Sequence, residues 1–332
     1  MIRTMLCTEE YYTRHQLDRA AIGAVLDNEH DLLWLDLEAP TAEELQLIGE
    51  EFAFHELAVE DASRPHQRPK IDRYDNFYFL VFYDLDYDGS TERIEPHELD
   101  VFFGKNYLIT VHNAPIDEID EVATRLGRNM VAIERGVGTL LYSLLDTIVD
   151  HYFPVVEQLG GNIEALERNI ITTRDPRGRE RLQEEIFVLR RQLLDLRQLL
   201  VPERDVLTAL VRRDLPIVSK KAAAYFQDVH DHLLRATDTV DVYRDLVTGA
   251  LESYHATNSN GLNQTMRILT ATSIILMSVT FIAGVYGMNF NPEVSPFNMP
   301  ELNTRYGYVA SLLLMAVVAG ALAWFFRRKG YL

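Results

Sequence analysis

A row of small, hydroxylic and thioether side chains runs along the first of two uncharged, apolar stretches near the C-terminus. Its members recur at steps of three or four residues, which is the spacing of one helical face. They are Met266, Thr270, Ser273, Met277, Thr280, Gly284 and Gly287, and we call this row the polar stripe. Such stripes from several subunits could line a pore for a hydrated ion. They could equally form a tight seam between membrane helices, and periodicity alone does not separate the two interpretations.

Two groups of carboxylates are further candidates for chemistry, because carboxylate oxygens are ligands for hard divalent cations. Asp84, Asp86 and Asp88 stand at alternate positions toward the end of a predicted strand, and Asp228 and Asp231 lie in a predicted long helix. A solvated acidic loop and helix face, with no bound ion, is the alternative interpretation. The carboxylates therefore indicate metal binding without establishing it.

The histidines are weaker candidates. His230 and His232 lie two residues apart, so in a helix they point in different directions, and we expect surface positions rather than a zinc site. His151 and His255 have no evident partners in the sequence. Because the sequence also shows no glycine-rich phosphate loop, nucleophile motif or paired catalytic carboxylates, we expect no enzyme.

Two stretches are long and apolar enough to cross a membrane as helices. Residues 268–292 and 306–326 carry no charge, and each can span a hydrocarbon core of about 30 Å. The basic cluster 327–329 predicts a cytoplasmic C-terminus, and residues 1–19 lack the pattern of a signal peptide. We therefore expect a multi-pass protein of the plasma (inner) membrane with both termini in the cytoplasm.

The formal charge of −18 is unevenly distributed. Residues 263–332 contain two acidic and five basic side chains, which leaves −21 on residues 1–262. So acidic a domain argues against nucleic acid as a partner and favours cations, although solubility alone would also explain it. The one cysteine, Cys7, fits a reducing compartment.

The part of the chain before the spans divides into an α/β domain and long helices. Residues 1–137 alternate strand-like patterns, such as 31–37 and 77–85, with a helical pattern at 41–52. Residues 104–106 predict the turn of a β-hairpin. Residues 138–215 have helical periodicity broken by a proline and a glycine, which predicts a helical hairpin.

A single long helix is expected to follow. After Ser219 the next proline is Pro292, so we predict one helix over residues 216–288 that begins as a stalk and ends as the first span. A helix of this length is not stable alone, which favours an oligomer. The remaining segments are an extracytoplasmic loop at 289–306, a second transmembrane helix at 307–327 and a basic cytosolic tail at 328–332.

The residues around the end of the first span resemble a known family. Tyr286-Gly287-Met288-Asn289, followed by Met299-Pro300-Glu301-Leu302, is similar to the signature of the CorA family of magnesium and cobalt channels. Residues 225–229 and 64–70 resemble the family as well. The outer loop departs from the family pattern by carrying extra residues at 291–298. Its acidic residues are Glu293 and Glu301.

The resemblance implies a CorA-like funnel of five identical subunits, with the long helix as the inner wall of the pore. The selectivity filter would be Gly287, Met288 and Asn289, with the amide of Asn289 ringing the outer mouth. Mg²⁺ would be the transported ion, with Co²⁺ and Ni²⁺ as further candidates. A zinc or nickel transporter of the same fold, or a membrane-tethered cytosolic scaffold, remains an open alternative.

The resemblance also implies an intracellular metal sensor. Asp88 and Asp228 match residues with which neighbouring subunits share divalent cations, so Mg²⁺ would be regulatory as well as transported. Asp84 and Asp86 are weaker candidates than Asp88. Glu252, further along the long helix, would form an acidic ring nearer the membrane.

Overall fold

The computed structural model describes residues 2–7, 12–15, 31–129, 136–173, 175–212, 222–291, 294–295, 297–300 and 304–331. The chain forms two compact units, Met1–Ala250 and Leu251–Leu332. The first is an α/β unit with long helices, and the second contains the two apolar helices. The boundaries of the six segments expected from the sequence stay a prediction.

A seven-stranded mixed sheet forms the base of the first unit. Its strands are β1 (Ile2–Cys7), β2 (Tyr12–His15), β3 (Leu32–Glu38), β4 (Lys70–Arg73), β5 (Tyr78–Asp88), β6 (Arg93–Phe103) and β7 (Tyr107–His112). Their spatial order is β2-β1-β3-β7-β6-β5-β4. The β3–β7 pair is parallel and the other pairs are antiparallel.

The central strands are almost entirely apolar because helices cover both faces of the sheet. Pro96 of β6 pairs with Leu85 of β5, in the part of β6 that extends beyond β7. A proline is tolerated there because no third strand requires its missing N–H group. The predicted β3, β5 and β6–β7 hairpin are thereby confirmed.

Seven helices are described: α1 (Ala42–Glu51), α2 (Glu56–Ser63), α3 (Asp117–Asn129), α4 (Val137–Thr172), α5 (Pro176–Val211), α6 (Ala222–Tyr286) and α7 (Gly307–Arg328). A capping box between Thr41 and Glu44 begins α1. Asp175 caps α5, and Pro176 stands in its first turn. This proline belongs to the break that predicted the helical hairpin, and α4 and α5 confirm the hairpin.

Strand alternation decides which side chains meet the helices on each face of the sheet. Leu35 and Val81 pack in one core with Ala58 of α2. Asp84 of β5 points to the other face, where His151 of α4 lies close to it. This alternation places a carboxylate inside the protein.

The part of α6 within the first unit packs along α4 and α5. Arg197 of α5 pairs with Asp241 of α6 at 2.8 Å. Gly160 of α4 faces Tyr243 of α6, and a Cβ at this glycine would lie 2.3 Å from the tyrosine oxygen. A larger residue at position 160 would therefore require the Tyr243 side chain to move.

In the second unit, α7 and the C-terminal part of α6 form two candidate membrane spans. Their most apolar windows have mean hydropathies of 2.1 and 2.3. The guanidinium of Arg267, near the start of the first span, lies 5.8 Å from the ring centroid of Tyr331, just beyond α7. The beginning of the first span and the end of the second therefore lie on the same side, as the predicted hairpin requires.

Candidate functional site

The polar stripe is exposed along its whole length in the single chain. Met266 and Met277 are 59% and 71% exposed, and the other five members are also exposed. The hydroxyl of Thr280 donates to the backbone oxygen of Leu276 at 2.9 Å, so its own oxygen remains able to accept a hydrogen bond from water. The stripe is thus a weakly polar surface rather than a charged one.

The opposite face of α6 is the covered one. Ala271 is fully buried, and Ile275, Ser278, Ile282 and Val285 are half-buried. At about 100° per residue, the centre of this covered face lies roughly 150° from the centre of the polar stripe. Within its own unit, α6 is therefore partly covered on one side, and the rest of the span, the polar stripe included, is exposed.

The first span ends at the predicted filter residues. Helical bonding closes with Gly287 N donating to Ala283 O at 2.9 Å and Met288 N donating to Val285 O at 3.2 Å. A Cβ on Gly287 would lie 3.3 Å from the Ala283 oxygen, which is tight. Gly330 is the only described glycine with φ in the left-handed region, so close packing, not a left-handed backbone, favours glycine at 287. Asn289 follows directly and is exposed.

The outer loop is described in part. Asn298 Nδ2 donates to the backbone oxygen of Asn291 at 2.7 Å, which closes one short turn of the loop. Glu293 and Glu301, the predicted acidic residues of the loop, lie outside the described residues.

Asp88 lies at the tip of the β5–β6 hairpin. Its carboxylate accepts hydrogen bonds from Thr91 Oγ1 at 2.7 Å and Ser90 N at 2.8 Å. These bonds, the one from Thr91 first, lower the pKa of Asp88 to about 2. The group is therefore a half-buried carboxylate that is charged at neutral pH and accepts hydrogen bonds from its own turn.

Asp228 lies beside a cluster that the sequence did not predict. His232, one helical turn further along α6, has Nε2 3.9 Å from Asp228 Oδ1 and Nδ1 2.9 Å from Asp150 Oδ1. Ligand atoms of Asp146, Asp150 and His232 all lie within 4.8 Å of one another. Burial, and then the charge of Asp150, raises the pKa of Asp146. His230 takes no part in this cluster, whereas His232 does. The expectation of surface positions rather than a zinc site stays a prediction for both histidines.

Glu252 is exposed on α6, in the second unit. It lies on the stretch of α6 that leads into the apolar span. An acidic ring at this position would require further subunits, so it remains a prediction.

Sequence reasoning missed the partners of His151. Its Nδ1 lies 2.6 Å from Glu118 Oε1 and 3.6 Å from Asp84 Oδ1. Strand alternation could have placed Asp84 on a buried face, but the approach of α3 and α4 depends on tertiary packing. The sequence showed no evident partner for His151, and the structure brings two carboxylates close to it.

The fold and these groups define a class: a membrane protein in which an α/β unit and a helical hairpin precede one long helix and a second span. The family described as CorA-like Mg²⁺ transporter protein matches residues 29–328. The chain belongs to this family and is a CorA-family divalent cation transporter. The family consists of transporters, not enzymes.

Two relatives and one solved structure agree with this assignment. YfjQ of Bacillus subtilis (strain 168) is 37% identical over 94% of this chain and 94% of its own length. The cobalt/magnesium transport protein CorA of Thermotoga maritima is 35% identical over 87% of this chain and 80% of its own. The complete structure of the CorA magnesium transporter from Methanocaldococcus jannaschii has the same fold, with a TM-score of 0.81, 24% identity, and coverage of 100% of this chain and 99% of the other.

Proposed function

We propose that the chain assembles as a homopentameric plasma-membrane channel that admits Mg²⁺, and also Co²⁺, down its electrochemical gradient. The observation that carries this proposal is the sidedness of α6. One face of the span is covered within its own unit, and the polar stripe on the opposite face is uncovered. Five copies can therefore turn their stripes inward without disturbing the packing within each chain.

The lining chemistry suits a hydrated divalent ion. Hydroxyl and thioether groups such as those of Ser273 and Met277 can accept hydrogen bonds from water without trapping the ion as a carboxylate would. Mg²⁺ dehydrates reluctantly and usually keeps several waters. A stripe without charges therefore favours passage of the ion together with its water.

Asn289 is the proposed selectivity residue. It is exposed directly after the end of the stripe, and its amide oxygen can accept hydrogen bonds from the water around Mg²⁺. Gly287 and Met288 would bring this amide to the pore axis. With both termini in the cytoplasm, an interior-negative potential of 100 mV drives a divalent cation inward by about 4.6 kcal/mol.

Gating by intracellular divalent cations forms the second part of the proposal. Asp228 is exposed beside His232 and Asp150, so a dication bound there would neutralise several negative charges. Asp88 would supply carboxylate oxygens from a neighbouring subunit, and Glu252 would add a ring nearer the membrane. Loss of the cation at low Mg²⁺ would leave like charges facing one another and loosen the closed assembly.

Uptake into liposomes tests the transport proposal. Purified protein reconstituted under an interior-negative potential should admit Mg²⁺, and added Co²⁺ should compete with it. Protein-free liposomes are the control. No uptake would support the tethered scaffold, and Zn²⁺ or Ni²⁺ uptake that excess Mg²⁺ does not reduce would support the zinc or nickel transporter.

A further inference from the structure

Three potential ligands converge in the first unit where β5, α3 and α4 meet. They are Asp84 of β5, Glu118 of α3 and His151 of α4, and their ligand atoms all lie within 4.8 Å of one another. His151 Nδ1 stands between the carboxylates, 2.6 Å from Glu118 Oε1 and 3.6 Å from Asp84 Oδ1. The three residues come from three separate elements, so only the folded chain assembles them.

Two atoms of this cluster lack hydrogen-bond partners among the described residues. Asp84 is 3% exposed, and both its Oδ1 and the Nδ1 of His151 are buried and unsatisfied. The short distance from Nδ1 to Glu118 does not have the alignment of a hydrogen bond. Buried polar atoms are usually paired, so a buried oxygen and nitrogen that lie 3.6 Å apart without hydrogen-bond partners can share one bound ion.

The charges in the cluster do not balance. Burial raises the pKa of Asp84 despite the opposing effect of His151, and burial and then the charge of Asp84 raise the pKa of Glu118. The charge of His97 also opposes the rise in the pKa of Asp84. The charges of Asp84 and Glu118 both contribute to the raised pKa of Tyr152. One imidazolium can neutralise one of the two carboxylates, whereas a dication neutralises both and leaves the imidazole neutral as a ligand.

We propose that Asp84, Glu118 and His151 form a binding site for a first-row transition-metal dication of the Co²⁺ or Zn²⁺ class. An imidazole nitrogen favours these ions over Mg²⁺, which prefers all-oxygen surroundings. His151 is 39% exposed in its side chain, so an ion can reach the cluster from solvent. Coordination would tie β5, α3 and α4 together, and this site is separate from both the polar stripe and Asp228.

Metal retention by the full-length protein in detergent tests this proposal without any transport measurement. The protein is loaded with Co²⁺, exchanged against excess Mg²⁺ to clear all-oxygen sites, and the remaining cobalt is measured by mass spectrometry. Wild type should retain one Co²⁺ per chain more than Asp84→Asn or His151→Gln. His255→Gln, which replaces a histidine outside the cluster, should retain the wild-type amount.

His232→Gln separates the second cluster. It removes the imidazole beside Asp150, so any cobalt held there is lost in this variant while the cobalt at His151 stays. Equal retention by wild type, Asp84→Asn and His151→Gln, or no retained cobalt in wild type, would overturn the proposal. Because transport is not measured, either outcome leaves the channel proposal standing on its own test.

His151→Cys distinguishes a ligand from an ion-pair partner, and it keeps the test decisive if Asp84→Asn does not fold. A thiolate binds Co²⁺ and Zn²⁺ but cannot replace an imidazolium. This variant should still retain cobalt and should gain thiolate-to-cobalt charge-transfer absorption. Absence of that absorption in folded protein would show that residue 151 does not contact the metal.

Discussion

Glu203 is fully buried on α5, and its surroundings indicate that it carries a proton. Tyr83 N donates to Glu203 Oε1 at 3.0 Å. The hydroxyl of Tyr152 donates to the backbone oxygen of Tyr83 and lies 3.2 Å from both carboxyl oxygens. Burial raises the pKa of Glu203 well above its usual range. A neutral Glu203 can therefore donate its own proton to the oxygen of Tyr152, and every group is satisfied.

Glu203→Gln should leave thermal stability nearly unchanged, because an amide reproduces the donor and the acceptor of a protonated carboxyl. Glu203→Ala should destabilise the protein by about 1–3 kcal/mol, since the buried Tyr83 N–H group loses its side-chain acceptor and the Tyr152 oxygen loses its contact with the carboxyl group. Melting of the purified protein in detergent measures both. Equal losses in the two variants would mean that Glu203 is ionised.

A second buried pair gives a pH dependence. His112 Nε2 lies 3.0 Å from Asp36 Oδ1, and Arg3 also pairs with this carboxylate at 2.7 Å. Burial opposes both charges. The hydrogen bond to Asp36 and its negative charge nevertheless raise the pKa of His112. In the same way, His112, with Thr110 and Arg3, lowers the pKa of Asp36.

The raised pKa of His112 predicts a stabilisation that is fully present below the unfolded histidine pKa and is lost as pH rises through the folded pKa. The melting temperature of wild type should therefore exceed that of His112→Gln most strongly in mildly acidic solution, and the gap should narrow toward alkaline pH. A gap that does not change between these conditions would show that the pKa of His112 is the same in the folded and unfolded protein.

At the scale of the elements, local patterns predicted most of the fold. Apolar length gave α7, the absence of proline gave the continuous α6, and Pro176 with Gly178 gave the break between α4 and α5. The periodicity of the sequence predicted that the polar stripe shares one face of the first span. Only the structure shows that the other face is the one partly covered within the unit. The grouping of Glu118 with His151 was out of reach, because it depends on how α3 packs against α4.

Two serines on opposite faces of α6 test the role of the polar stripe. Ser273 lies on the stripe and is exposed, whereas Ser278 lies on the covered face and donates to Ile274 O at 2.8 Å. Each is replaced by cysteine in a Cys7→Ser background, which removes the native thiol. A membrane-impermeant thiol reagent should block uptake in Ser273→Cys and leave Ser278→Cys unaffected, because only the stripe meets water.

The background variant Cys7→Ser, treated with the same reagent, controls for effects unrelated to the new thiol. Equal block at both positions, or block at Ser278→Cys alone, would assign the stripe to a packing seam.

At the scale of the whole molecule, the proposed sensor links assembly to intracellular Mg²⁺. Binding between Asp88 and Asp228 of neighbouring subunits should hold the long helices together, so Mg²⁺ should protect α6 of the wild type from proteolysis. Asp88→Lys combined with Asp228→Lys should remove this protection, because each lysine repels the cation. Time courses of limited proteolysis with and without Mg²⁺ measure the effect.

Asp86→Lys combined with Asp231→Lys makes the same charge change on the same two elements and is the matched control. It should keep most of the Mg²⁺ dependence. If the first double variant is protected as well as the wild type, the sensor lies elsewhere in the molecule.

Mg²⁺ uptake by liposomes containing Asn289→Ala tests the proposed ion pathway most directly. The alanine cannot accept hydrogen bonds from the water around the ion, so uptake should be abolished while expression and assembly are retained. Asn291→Ala, the same change two residues further along the exposed loop, should keep uptake near the wild-type rate. Wild-type uptake by assembled Asn289→Ala would contradict the selectivity role of Asn289 and, with it, the proposed route of the ion along the polar stripe.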